Sequence, residues 1–355
     1  MAIKKLSLKN FRCFQNTSYD FCDGLNFFHG TNGAGKTSIL EAVYILGSGN
    51  SFRTTKSNNL IKLGSDSFKI SAEIGDPVQK ITISKTKSKN LSIRVNEKNK
   101  IKRELVSLLP INAIDSKMFF YLSSAPDYRR KSLDRSLFLV SNTYQKSWFS
   151  YYSALRQRNS SLKRNSPQEA ISWNMPLSDA ASVIQNERSY FLDKIKVNFF
   201  NLIKDQLDDD FSERLSIMNI YLEKGFSNEV LLDDLEASLA QDLFKKTTQC
   251  GPHKADLVFN FDSSMAKDLF SRGEEKAFSI IWGLAISMTL IDLGIDNVTV
   301  LDDLSSEIDE THLETLLAII KKAPNQFIFS NISDLFNSKI QENFNIKKFH
   351  VEHQT

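Results

Sequence analysis

The chain has 355 residues, 41% hydrophobic and 25% charged, and its 45 basic and 42 acidic side chains leave a formal net charge of +3. The longest mostly apolar run, Ala277–Ile291, is shorter than the ~20 residues that span a bilayer, and three scattered cysteines give no disulfide framework. We therefore expect a cytoplasmic protein of about two domains, without a secretion signal or a membrane partner. Glycine is scarce, with 13 residues and none between Gly75 and Gly225, which excludes a small all-β sandwich rich in tight turns.

The first third of the chain predicts strands around one helix. Apolar residues alternate over 3–14, which indicates a strand and a turn, and Leu25–Phe28 is a short apolar strand. Lys36–Leu46 has apolar residues at helical spacing. Alternation then returns over Phe68–Arg94, which we interpret as antiparallel strands.

The middle of the chain changes to a helical period. Apolar residues from Leu133 to Leu155 are spaced by three and four, and a second helical stripe runs from Leu177 to Leu202. Asn159–Pro167 has the composition of a turn. These segments predict an antiparallel helical hairpin with arms of about 30 residues, or ~45 Å. An ordinary buried helix pair explains the same pattern.

The last third alternates strands and helices again. We predict strands at Leu257–Phe261, Val298–Leu301 and Gln326–Ser330, and helices at Glu274–Ile291 and Glu310–Lys322. This order is typical of a sheet covered by helices. The helical hairpin is therefore interpreted as an insertion into one α/β domain.

A complete phosphate-binding motif follows the strand Leu25–Phe28. Gly30–Thr37 matches G-x-x-x-x-G-K-[ST], with a strand before it and a helix after it, as the P-loop mechanism requires. Backbone N–H groups and the helix N-terminus would hold phosphates, Lys36 would reach the β- and γ-phosphates, and Thr37 would bind Mg²⁺. The residues expected to bind the nucleotide here are Gly30, Thr31, Asn32, Gly33, Ala34, Gly35, Lys36, Thr37 and Ser38.

Two aspartates follow the predicted strand Val298–Leu301. Asp302 is the expected partner of Mg²⁺, together with Thr37, and Asp303 is placed to orient or deprotonate an attacking water, so that Asp303 and Lys36 are the expected catalytic residues. A pair of helix-capping acids is the alternative. Lys36 and Asp302 are 266 positions apart, which leaves room for the helical insertion.

Charge is distributed unevenly along the chain. Lys80–Arg103 and Arg129–Arg164 each contain nine basic residues and one acid, whereas Asp205–Glu236 contains ten acids and two basic residues. A dense basic segment is able to hold a polyanion through phosphate contacts, but a solvated helix face neutralised by the acidic segment is an equal alternative. The candidate DNA-binding residues are Arg156, Arg158, Lys163 and Arg164, with the lysines of 80–103 as a second possibility.

Several motifs, in order, resemble a known family. Ser271–Lys276 is similar to the signature motif of ABC-type ATPases, and Asp302-Asp303 with 305–309 resembles their Walker B motif and D-loop. Leu8–Arg12, Ala125–Asp134 and Gly251–Leu257 are similar to motifs of the RecF recombination and repair proteins. The resemblance extends from the first strand to the last.

The resemblance implies an α/β P-loop head of the ABC type with an inserted helical domain. The implied division is an ATPase head at 1–128 and 241–355 and an inserted helical arm at 129–240. ATP and Mg²⁺ would bind between two copies, with Ser271 and Gly273 of one copy facing the P-loop of the other. Arg12 would contact a phosphate of ATP, or form a surface salt bridge instead.

The implied function is ATP-dependent DNA binding in recombinational repair and replication-fork maintenance. The homodimer would clamp single-stranded, gapped or junction DNA, hydrolyse ATP weakly, and help a RecR-like partner to load the recombinase. A small-molecule P-loop kinase is the alternative from another class, as is another ABC-type ATPase such as a transport subunit. A cohesion protein of the SMC type is excluded because arms of ~30 residues are far too short for its coiled coil.

Overall fold

The computed structural model describes residues 2–115, 117–204, 210–262, 264–304, 308, 310–322, 324–331 and 346–352. The chain divides into two compact units. Unit 1 comprises Met1–Phe120 and Ser271–Thr355, and unit 2 comprises Tyr121–Phe270. Among the described residues, no helix combines the length and apolar character that crossing a membrane requires.

The described residues form fourteen strands and twelve α-helices. The strands are β1 (Ile3–Phe11), β2 (Phe14–Asp20), β3 (Leu25–His29), β4 (Ser67–Ile74), β5 (Gln79–Thr86), β6 (Ser92–Val95), β7 (Lys98–Asn99), β8 (Ile111–Ile114), β9 (Asn219–Glu223), β10 (Asp256–Phe261), β11 (Ser264–Met265), β12 (Val298–Leu301), β13 (Phe327–Asn331) and β14 (Ile346–His350). The α-helices are α1 (Lys36–Ser48), α2 (Lys102–Leu108), α3 (Pro126–Val140), α4 (Asn142–Lys163), α5 (Pro167–Ser172), α6 (Asn174–Ile203), α7 (Asp210–Ser216), α8 (Leu231–Ala237), α9 (Leu239–Lys245), α10 (Ala266–Leu269), α11 (Arg272–Asp292) and α12 (Glu310–Lys321).

Unit 1 contains two sheets with α1 packed between them. Among the described residues, one sheet is antiparallel, in the order β2-β1-β4-β5-β6-β7, and the other is parallel, in the order β14-β3-β13-β12-β8. Helix α1 contacts β4 and β5 on one side and β8, β12 and β13 on the other. Because it is covered on both sides, its residues Ile39, Leu40, Val43 and Leu46 are all buried.

The parallel sheet places the two sequence motifs at one edge. In a parallel sheet the carboxyl ends of the strands lie on the same side, and ligands bind there in open α/β folds. The P-loop follows β3, and Asp302 and Asp303 follow β12, with β13 between these two strands. The fold thus brings together segments that are more than 260 residues apart.

Unit 2 is mainly helical, and its first predicted arm is broken. Helices α3 and α4 replace one continuous arm because the chain is extended at Ser141 (φ −132°, ψ 109°), whose side chain accepts a hydrogen bond from the Tyr144 N–H. Serine is a strong N-cap residue, so a new helix begins here. Helix α4 packs against the 30-residue α6.

The boundaries of unit 2 differ from the predicted arm limits of 129 and 240. The unit begins at Tyr121 and ends at Phe270. Strand β10, which the sequence assigned to the head, pairs with β9 in a three-stranded sheet of unit 2 and contacts α3. The α/β fold class with an inserted helical domain is confirmed, but the insertion extends further in both directions.

Candidate functional site

The P-loop connects β3 to α1 through glycines in unusual conformations. Gly35, the N-cap of α1, has φ 111°, which L-residues with side chains rarely adopt. A Cβ at this position would lie 2.6 Å from the Phe14 ring and 2.7 Å from Cys13 Sγ. Both the backbone conformation and the packing therefore require glycine at this turn.

The N-terminus of α1 is open to an anion. No side chain caps it, and its first turn contains no acidic residue. The first N–H groups of a helix have no acceptor within the helix, and they carry the positive end of its dipole. Thr31, Asn32 and Gly33 in the preceding loop are exposed. The remaining residues predicted to bind the nucleotide, Ala34 and Ser38, are buried.

Lys36 spans the loop that it follows. Its Nζ donates to the carbonyl oxygens of Gly30 at 2.6 Å and Thr31 at 3.0 Å, and the residue is only 8% exposed. Burial lowers the pKa of Lys36, and the charges of Asp303 and Asp302 oppose that shift. The side chain is thus a partly desolvated cation held at the mouth of the loop.

Asp302 lies directly against the start of α1. Its Oδ1 accepts from Thr37 Oγ1 at 3.0 Å and from Ser330 Oγ at 2.7 Å. Burial raises the pKa of Asp302, and these two hydrogen bonds partly offset the shift. Two hard oxygen donors side by side fit Mg²⁺, which binds one or two protein oxygens together with substrate phosphates and water. Thr37 and Asp302 are the residues that would hold the ion.

Neutralising Asp302 tests this arrangement in the absence of nucleotide. Because burial disfavours its charged form, Asp302→Asn should raise the melting temperature of the nucleotide-free protein at pH 8, where the wild-type carboxylate is ionised. The gain should shrink as the pH falls, since the raised pKa lets the wild-type side chain take up its proton at a higher pH than an ordinary aspartate does. Thermal melts of both proteins from pH 8 to pH 5 measure this, and a gain that does not change with pH would contradict the assignment.

Asp303 adopts a strained conformation beside this pair. Its φ is 53°, its N–H donates to Ser330 Oγ at 3.0 Å, and its carbonyl accepts from Lys276 Nζ at 2.6 Å. Within the described part of the chain, its buried Oδ1 has no hydrogen-bond donor. Buried polar atoms in folded proteins are nearly always paired, and strained residues cluster at functional sites, so the geometry favours a chemical role for this carboxylate.

The segment that resembles the ABC signature forms the N-terminus of α11. Ser271 is its exposed N-cap and forms a capping box with Glu274, in which Ser271 Oγ accepts from the Glu274 N–H at 3.3 Å. The hydroxyl hydrogen of Ser271 can still be donated to another group. Gly273 is half-buried in the first turn. Of the D-loop resemblance at 305–309, residues 305–307 and 309 lie outside the described residues.

Arg12 is engaged by α1. Its Nε and Nη2 donate to the two carboxylate oxygens of Glu41, at 2.8 and 2.6 Å, and Nη1 donates to the Asn59 carbonyl. The salt bridge left open as an alternative is therefore present, although Glu41 is fully buried. These bonds use three of the five guanidinium N–H donors, so contact of Arg12 with a phosphate does not require it to leave this pair and stays a prediction. Glu41 was missed from the sequence, where a lone acid between Leu40 and Ala42 on a buried helix was its only signal.

The four candidate DNA-binding residues do not share one environment. Arg158 is fully buried and donates to Asp242 Oδ2 at 2.7 Å and Thr248 Oγ1 at 2.8 Å, so its assignment to a DNA surface was wrong. Its positive charge balances a buried carboxylate and is not available to solvent. Arg164 is exposed and pairs with Glu169, and Arg156 and Lys163 are exposed.

Two of the family-like motifs bind each other within unit 2. From Ala125–Asp134, Arg129 forms a bidentate pair with Asp256 at 2.8 and 2.7 Å, and Asp134 pairs with Arg188 of α6. Arg188 in turn donates to the carbonyl oxygen of Pro252 at 2.8 Å. Two basic residues of 129–164 thus bind this segment, since Arg129 pairs with Asp256 and Arg130 donates to the main-chain oxygen of Ala255. These motifs are structural partners.

The packing around this network also requires a glycine at position 251. Its φ is 127°, and a Cβ would lie 2.3 Å from Tyr151 Oη, which is bonded to His253 Nδ1 at 2.7 Å. Gly251→Ala is expected to reduce the free energy of unfolding by about 1–3 kcal/mol through strain and overpacking. Gly294→Ala is the matched control, because Gly294 also has positive φ but has open space around it. Urea unfolding should show a larger loss for Gly251→Ala, and equal losses would exclude the close contact as the cause.

Comparisons with known proteins identify relatives of nearly the whole chain. A family model, RecF/RecN/SMC N terminal domain, matches residues 2–355. The DNA replication and repair protein RecF of Francisella tularensis subsp. mediasiatica is 33% identical over 351 residues, which cover 97% of this chain and 98% of that protein.

Solved structures show the same fold. The recombination mediator protein RecF-ATP in the RecFOR pathway matches with a TM-score of 0.80 at 24% identity, over 99% of this chain and 95% of that chain. The Smc head bound to the C-winged helix domain of ScpA matches with a TM-score of 0.61 at 15% identity, over 99% and 94%. From its P-loop head, its inserted helical unit and these relatives over nearly its full length, the chain belongs to the RecF family of DNA replication and repair proteins.

Proposed function

We propose that the protein is an ATP-dependent DNA-binding clamp of recombinational repair and replication-fork maintenance. The observation that carries this proposal is the open N-terminus of α1, with Lys36 beside it and the Thr37–Asp302 contact at its base. These are the groups that a triphosphate and its Mg²⁺ need. The structural relative described as RecF-ATP supports ATP as the nucleotide.

The clamp would close when ATP binds between two copies of the chain. The exposed Ser271 at the N-terminus of α11 offers an O–H donor and a helix end to the γ-phosphate held by the P-loop of the other copy. ATP would stabilise the dimer because it contacts both copies only in the closed state. Weak hydrolysis, with Asp303 acting on the attacking water, would then open the clamp.

Sedimentation velocity tests the dimer directly. At micromolar protein, a non-hydrolysable ATP analogue with Mg²⁺ should convert monomer to dimer, and ADP should not. Ser271→Arg is the informative variant, because it should prevent the dimer while each copy still binds nucleotide through its own P-loop. A wild-type protein that stays monomeric with the ATP analogue bound would overturn the clamp.

The clamp would hold single-stranded, gapped or junction DNA and act with a RecR-like partner to load the recombinase. The relatives support this step, since one is described as a DNA replication and repair protein and another as a recombination mediator of the RecFOR pathway. DNA binding should be measured by fluorescence anisotropy on gapped, single-stranded and duplex DNA, with and without ATP. Affinity that is absent on every DNA in both conditions would exclude the DNA-binding role.

A further inference from the structure

The antiparallel sheet of unit 1 packs one face on α1 and has a second face on the opposite side. Residues Leu6, Leu8, Ile70, Ile81 and Ile83 point into the core, so the residues that alternate with them lie on the opposite face. We call this the outer sheet face. It comprises Lys5, Ser7 and Lys9 of β1, Lys69, Ser71 and Glu73 of β4, and Lys80, Thr82 and Ser84 of β5.

The strand register sorts this face into rows. Ser7 lies opposite Ser71, and Ser71 opposite Thr82, which gives a row of small hydroxyl side chains across three strands. One row further along the strands, Lys9 lies directly opposite Lys69. Lysine side chains therefore flank the row of serine and threonine side chains. The paired main chain of the sheet fixes the spacing between them.

The pairing of Lys9 with Lys69 is unfavourable in the free protein. Like charges directly opposite each other on an antiparallel pair are destabilising. Both side chains are exposed, and within the described residues neither forms an ion pair with a carboxylate. An anion bound between them would remove this repulsion.

The same residues form a shallow cavity of about 280 Å³ on the outer sheet face. Its lining includes four lysines and one glutamate, so its formal charge is +3. Lys5 also forms an ion pair with Asp20, at 3.8 Å, and Glu73 is the acidic residue that lines the cavity. The cationic and hydroxyl donors are those that contact phosphate oxygens in protein–DNA complexes.

We propose that the outer sheet face binds the sugar-phosphate backbone of duplex DNA. This inference rests on the proposed DNA-binding function and locates it in unit 1, on a surface separate from the P-loop edge of the parallel sheet. The duplex is favoured because the nine residues of this face include no aromatic side chain. Unspecific binding of single strands depends on aromatic platforms for base stacking, whereas contact with a duplex backbone depends on lysine and hydroxyl donors.

A double variant tests the surface. Lys9→Gln/Lys69→Gln should weaken binding to a duplex about tenfold at moderate salt, and lower the slope of log affinity against log salt by about 1.8, since each phosphate contact contributes ~0.9. The same variant should melt at or above the wild-type temperature, because it removes a repulsive pair. Fluorescence anisotropy over a salt series and thermal melting measure the two effects.

Two further double variants decide between surfaces. Lys146→Gln/Lys194→Gln removes two exposed charges from unit 2 and is the control for net charge, whereas Arg156→Gln/Lys163→Gln tests the helical arm. Wild-type affinity and slope in Lys9→Gln/Lys69→Gln, with a loss in Arg156→Gln/Lys163→Gln, would overturn the outer sheet face and leave the DNA-binding function standing. A loss confined to single-stranded DNA would overturn the choice of duplex. A wild-type protein that binds no DNA would overturn the DNA-binding function itself.

Discussion

Lys36→Ala is expected to lower the affinity for ATP by about 30-fold or more. Lys36 Nζ is the cation at the mouth of the phosphate loop, and truncating one partner of a desolvated charge contact costs about 2–5 kcal/mol. The substitution also removes two hydrogen bonds to the carbonyl oxygens of Gly30 and Thr31, which hold the loop closed over the start of α1. Titration with a fluorescent ATP analogue measures the effect.

Lys85→Ala is the matched control for this substitution. Lys85 is also 8% exposed, and its Nζ also donates to a main-chain oxygen, that of Lys89 at 2.7 Å. It lies on β5 of the antiparallel sheet, away from the P-loop segment. ATP affinity should therefore be retained in Lys85→Ala, and a similar loss in both variants would show that the effect comes from general destabilisation of unit 1.

The affinity of the protein for ATP should also fall at alkaline pH, because it depends on the positive charge of Lys36. Burial lowers the pKa of this side chain, so its positive charge is lost at a lower pH than that of an ordinary lysine. Affinity for the nucleotide should consequently decline on the alkaline side, and the decline should be absent in Lys36→Ala.

The sequence was sufficient for the phosphate loop because that site is local. Gly30–Thr37 specifies the turn, the helix start and the cation within one contiguous segment, and its flanking strand and helix are short and clearly patterned. The two aspartates after β12 were equally predictable from the sequence, since a buried β-branched strand followed by two acids has few other interpretations. The contact of Asp302 with Thr37 follows from the parallel order of the strands.

The sequence was insufficient where charges find partners far along the chain. Arg158 and Asp242 are 84 residues apart, and Arg129 and Asp256 are 127 apart, so no local pattern distinguishes these buried arginines from exposed ones. Charge density alone therefore does not separate the buried Arg158 from the exposed Arg156 of the same helix. Strands β1, β4 and β5, by contrast, each contain only a few charged residues. Only the strand register shows that the lysines of β1 and β4 lie opposite each other.

The limits of the inserted unit were missed for a related reason. Strand β10 reads as part of an α/β alternation, but its pairing partner is β9, and its Asp256 is bound by Arg129 of α3. The break at Ser141 was visible in principle, because serine is a preferred N-cap, but the apolar spacing continues through it without interruption.

Asp303→Asn is expected to slow ATP hydrolysis by about two orders of magnitude or more while the protein still binds ATP. The amide keeps the shape of the side chain but cannot accept a proton from the attacking water, and a positioned general base contributes roughly 10²–10⁴-fold. Stability should be unchanged or higher, for two structural reasons. The buried Oδ1 has no donor within the described residues, and asparagine tolerates the positive φ of 53° at least as well as aspartate.

Asp302→Asn distinguishes the two neighbouring carboxylates. It should raise the Mg²⁺ concentration needed for half-maximal turnover, because Asp302 lies against Thr37, whereas Asp303→Asn should leave that concentration unchanged and lower kcat. Asp303→Asn should also hold the ATP-bound dimer for longer in sedimentation experiments, since opening requires hydrolysis. Turnover of Asp303→Asn at the wild-type rate would remove Asp303 from the reaction, and its strained backbone and unpaired oxygen would then serve only to position Lys276, whose Nζ binds its carbonyl.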